Sequence, residues 1–277
     1  MAGEAGKAGW VGTVAKMRLS AVVLMCVAAG LVSQSHTSAQ ARGGQAAPPQ
    51  PSPTPRAAAP IDLTGYWVSI VNEDWRWRMV TPPKGDYSSV PLNDAGRRLA
   101  DTWDTSKDGR CEAYGAAALM RMPTRLHITW ESETVLKIET DAGQQTRRVL
   151  FDKSRPAPTA RSLQGFSIAE WDRPARPGGP GRGGRGEATG PAPGANLRVI
   201  TNHLIAGWLR KNGVPYSEDT VVTEYFDRFA TPTGDEWLAV TTMVTDPKYL
   251  NTDFVTSSHF KKEPDGSKWS PSPCKTS

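Results

Sequence analysis

Apolar and polar residues alternate with a period of two through most of the chain after Ile61. Runs rich in Val, Ile, Thr, Tyr and Trp recur between turn signals, and this period sends successive side chains to opposite faces of a pleated strand. The pattern predicts strands over 65–71, 75–80, 125–131, 134–140, 145–151 and 163–172, then over 197–205, 220–229, 236–245 and 254–263. Asp141 to Gly143, Glu131 to Glu133 and Thr231 to Gly234 supply hairpin chemistry between neighbours. One helix is predicted over 92–102, with Asn93 or Asp94 as N-cap and Leu99 and Trp103 on one face. Consecutive strands with few helices most simply form an antiparallel up-and-down barrel of about 8–10 strands, because closure removes exposed edges. A two-sheet sandwich is the alternative.

The ends of the chain read differently. Lys7, Lys16 and Arg18 precede an apolar run from Leu19 to Val32, and Ala39 to Ala41 offers small residues for cleavage. This predicts a signal peptide over 1–41 and an exported, periplasmic or secreted protein; Met17 is an alternative start. The run is shorter than the roughly 20 residues a spanning helix needs. Met25 before Cys26 is too large for a lipoprotein signal. A Pro/Ala-rich leader follows over 42–60, and a Gly/Pro/Arg-rich insertion occupies 173–195; both compositions predict solvated, disordered segments. The single folded domain is therefore 61–277, less that insertion.

These boundaries change the meaning of the charge. The 277 residues carry a formal net charge of +5. Without the signal, leader and insertion, 24 basic residues face 26 acidic ones. The folded part is slightly negative, which argues against a nucleic-acid partner. After Cys26, Cys111 and Cys274 remain, and an even pair in an oxidising compartment predicts a disulfide, two free thiols being the alternative.

Nine of the ten tryptophans lie beyond the signal segment. In Trp75-Arg76-Trp77-Arg78 a strand places both indoles on one face, as an aromatic platform or as core packing. Trp67 and Trp208 are further candidate ligand contacts. His203 shares a face with Leu197, Val199, Thr201 and Ile205, which makes it a candidate general base on the buried side. Glu224 and Arg228 share a face of the 220–229 strand with Val222 and Phe226. Glu224 pairs chemically with His203 as acid and base, and Arg228 suits an anion; structural ion pairs are the alternative. No metal-ligand spacing, phosphate loop or nucleophile elbow occurs, so neither metal nor cofactor is expected.

Several short segments carry a resemblance. They are Asp62 to Trp67, Ser162 to Gly165 with Trp171, Leu197 to Ile200, Trp208-Leu209, Thr223 to Arg228 and Thr245 to Tyr249. In this order the chain resembles a group of uncharacterised secreted proteins of acidobacteria and some proteobacteria. Tyr225 stands where that group often carries Arg, and the 173–195 insertion interrupts its Trp hairpin. The resemblance implies a barrel-like architecture and an exported setting, and no activity. Gly65-Tyr66-Trp67 is similar to the Gly-x-Trp signature of lipocalins, which implies a calycin-like barrel. Together these readings predict binding of a small, partly apolar or aromatic ligand in the barrel interior by Trp67, Trp75, Trp77, Trp208, His203, Glu224 and Arg228. The alternatives are a barrel enzyme, hydrolase or isomerase, using His203 and Glu224, and a cell-envelope interaction protein.

Overall fold

The computed structural model describes residues 51–104, 111–172 and 195–274. The signal segment with Cys26, the leader up to residue 50 and the insertion up to residue 194 lie outside the described residues. In chain order the elements begin with β1 (Gly65–Ile70), the short helix α1 (Trp75–Arg78), α2 (Asp94–Ala100) and α3 (Ala116–Leu119). Then follow β2 (Arg125–Ser132), β3 (Val135–Thr140), β4 (Ala142–Gly143), β5 (Thr146–Leu150), β6 (Phe166–Asp172) and β7 (Asn196–Asn202). The chain finishes with β8 (Gly207–Arg210), β9 (Val214–Tyr216), β10 (Val221–Ala230), β11 (Glu236–Thr245), β12 (Phe254–Glu263) and β13 (Ser272–Pro273).

Nine strands close a barrel in chain order: β1, β2, β3, β5, β6, β7, β10, β11 and β12, with β12 pairing back onto β1. This is the predicted barrel rather than the sandwich. It differs from a purely antiparallel meander at one seam, where β5 and β6 run parallel through Val149↔Ser167 and Leu150↔Ile168. The reason is parity. An odd ring cannot reverse direction at every neighbour, so at least one pairing must be parallel. The chain meets this requirement by crossing from one barrel end to the other between Leu150 and Phe166.

Inside the ring the alternate residues are buried and largely apolar. Trp67, Leu126, Ile128, Ile138, Leu197, Phe226 and Phe260 belong to one core cluster. One buried ion pair interrupts it: Arg147 on β5 reaches Glu224 on β10 with two hydrogen bonds, Nη1–Oε1 at 2.9 Å and Nη2–Oε2 at 2.6 Å. Thr201 Oγ1 accepts from Arg147 Nη2 at 3.2 Å and is itself 2.7 Å from Ser167 Oγ. The two-pronged geometry pairs the two charges where water is excluded, and leaves Arg147 Nε without a partner.

Each barrel end is covered. At one end Val222, Val244 and Phe254 pack with Leu204, Leu209, Val214 and Tyr216 in a second cluster, built from α2, α3 and the β8–β9 hairpin. The hairpin turn needs Gly213, whose φ is +83° and whose place a Cβ would bring to 2.2 Å from Trp103. Cys111 is bonded to Cys274, with Cα atoms 5.7 Å apart, as the cysteine count predicts. Beside it β13 adds to β4. At the opposite end Thr54 Oγ1 donates to Glu133 Oε2 at 2.7 Å, and Trp171 Nε1 donates to the Pro55 carbonyl at 2.8 Å. Residues 51–60, read from composition as the end of a disordered leader, therefore include a turn bonded to the barrel.

Two predicted elements change. The 75–80 strand is the single helical turn α1, because Asp74 takes a left-handed φ of 50° and Arg78 turns inward to donate to the Arg121 carbonyl at 2.8 Å. The strand predicted over 197–205 ends at Asn202, where His203 adopts a φ of 55°.

Candidate functional site

The predicted site residues do not converge. Trp67 is fully buried in the barrel, its Nε1 donating to the Leu63 carbonyl at 2.9 Å. Trp75 and Trp77 do not share a face, because the helical turn leaves Trp75 exposed and Trp77 partly buried. Trp208 on β8 donates to Glu112 Oε2 at 3.3 Å. His203 lies beyond the end of β7, so the alternation that placed it inside no longer applies, and its Nδ1 is 2.9 Å from Asn202 Oδ1. Glu224 is held by Arg147, so His203 and Glu224 share no hydrogen bond. Arg228 pairs with Glu236.

What the fold does assemble is a basic cleft of about 190 Å³ beside the barrel end that α3 and the β8–β9 hairpin cover. Three segments far apart in sequence form it: residues 77–82 at and after α1, residues 118 and 121–123 at and after α3, and residues 209–211 at the end of β8. Four cationic side chains line it, Arg78, Arg121, Arg210 and Lys211. Two carboxylates meet them: Glu73 Oε1 is 2.5 Å from Arg78 Nη1, and Asp74 Oδ2 is 3.0 Å from Arg121 Nη1. Arg78 also donates to Ser69 Oγ at 3.2 Å.

Arg210 is held differently. Its Nη1 donates to the Ser88 carbonyl and its Nη2 to Ser89 Oγ, both at 2.8 Å, and it pairs with no carboxylate among the described residues. It stacks over Trp77, 5.0 Å from the ring centroid, while Arg121 lies 5.4 Å from that of Phe254. Burial, and then the charge of Arg121, bring the Arg210 guanidinium down to about 10. Burial likewise lowers Arg78. On the cleft's arginines two buried N–H groups have no partner: Nη2 of Arg121, a residue 7% exposed, and Nε of Arg210, a residue 3% exposed. Unpaired buried donors on a cation are costly, and an anion relieves that cost.

Sequence reasoning missed Arg121, Arg147 and Arg210. The signal was present: Leu119-Met120-Arg121-Met122 and Trp208-Leu209-Arg210 each set an arginine in an apolar run, and Arg147 alternates with Val149 on a predicted strand. Among the described residues no group of His, Cys, Asp and Glu is arranged to hold a metal, and no helix is long and apolar enough to cross a membrane. In comparison with known proteins, no family model, curated protein or solved structure matches the chain.

Proposed function

We propose that this chain is an exported binding protein for a small anionic ligand, a carboxylate or a phosphate monoester, held in the cleft lined by Arg78, Arg121, Arg210 and Lys211. The observation that carries this reading is that Arg121 and Arg210, two residues that line one cleft, each hold a buried N–H group without a partner. Guanidinium groups suit such ligands because their planar N–H fork matches carboxylate and phosphate oxygens. The barrel serves as a rigid frame, its interior filled by core side chains. Export follows from the signal-like first 41 residues and fits the disulfide.

Calorimetric titration of the purified chain with acetate, benzoate and inorganic phosphate tests the proposal. Saturable binding is expected for at least one anion. Arg121→Met and Arg210→Met, each checked for folding by circular dichroism, should each weaken it about tenfold or more, the scale of a charge-assisted hydrogen bond. Flat heats for all three anions, or unchanged affinity in both variants, would overturn it.

A further inference from the structure

The cleft is built inside out relative to an ordinary protein surface. Its guanidinium groups are buried, while two apolar side chains lining the same cleft, Met79 and Val80, are 58% and 63% exposed. Charged side chains are almost never fully buried unless they are paired. Both side chains sit where the chain leaves α1, and Met122 and Leu209 also line the cleft. A ligand that met only the floor would leave Met79 and Val80 in water. One with a charged head and an apolar chain would cover both and pair the floor.

From this arrangement we infer that the ligand is an anionic amphiphile: a carboxylate or phosphate head seated against Arg121 and Arg210, with its alkyl or aryl carbons lying over Met79 and Val80. This rests on the anion reading above and adds the tail to it. The head is desolvated and bound by N–H donors, and the tail gains by leaving water in proportion to the carbon it buries. Affinity therefore rises with chain length until the rim is passed.

The test is a homologous series on the full chain, acetate, butyrate, hexanoate and octanoate as sodium salts below micelle formation, with inorganic phosphate as the tailless anion. A fully buried methylene gives about fourfold in affinity. Half-covered at this rim, each should give about twofold, so octanoate, six methylenes longer, should bind about 60-fold more tightly than acetate. Met79→Gln with Val80→Gln, two exposed positions where folding is unperturbed, should remove most of that gradient. Acetate and octanoate binding with equal affinity would overturn the amphiphile and leave the anion site standing. Octanoate binding that neither Arg121→Met nor Arg210→Met weakens would overturn both readings, as would no binding by any member.

Discussion

Asp227 shows how one side chain can work against the fold that holds it. It lies on β10, where burial raises its carboxyl pKa; a hydrogen bond with Asn196 lowers it, and the charge of Asp172 raises it again, leaving it above the ordinary carboxylate value. The folded protein therefore keeps a proton on Asp227 where the unfolded chain has lost it. Stability from this group is fully present below the unfolded value and is lost as pH rises through the raised one. Asp227→Asn removes the cost at neutral pH. Thermal melting should show the variant about 1–3 °C more stable at pH 7, with the gap closing near pH 3. Glu236 has the opposite sign: its hydrogen bond with Arg228 holds its carboxyl below the ordinary value, so its contribution is present at neutral pH and fades on acidification.

At the scale of elements, the link between β5 and β10 through Arg147 and Glu224 is the sharpest test of the barrel interior. Glu224→Gln leaves a buried guanidinium without its counter-charge and should cost about 3–5 kcal/mol in urea denaturation. Replacing the pair with Arg147→Met and Glu224→Leu should recover most of that loss, since a well-packed apolar pair avoids the desolvation of two charges. The nine barrel strands were legible because each is long enough for period-two alternation to outweigh local ambiguity. The four residues Trp75 to Arg78 were not. Four residues of alternating Trp and Arg fit a strand as well as a helical turn, and contacts of Arg78 with distant Arg121 and nearby Glu73 decide between them. The cleft was illegible for a related reason, since its walls come from α1, α3 and β8, which only the tertiary fold brings together. His203 was misplaced because nothing in a run of alternating residues announces the left-handed turn that ends β7.

For the whole molecule the bond between Cys111 and Cys274 matters most. It spans a sequence separation of 163 residues and ties the segment before α3 to the end of the chain. Loops this long restrict the unfolded state strongly, so reduction, or Cys111→Ser with Cys274→Ser, should lower stability by about 2–5 kcal/mol in denaturant titrations with and without reductant. The bond also divides the barrel unequally. Every barrel strand from β2 to β12 lies between the two cysteines, and β1 alone lies outside the covalent loop. Tension applied through the two termini would consequently bypass the enclosed strands. It would pull β1 out from between β2 and β12, loading those two ladders, while the chain between the cysteines carried no end-to-end tension. Under an optical trap the oxidised molecule should lengthen only by the chain outside the loop, and the reduced one by the whole fold. Under such a load the disulfide would keep tension out of the chain that it encloses.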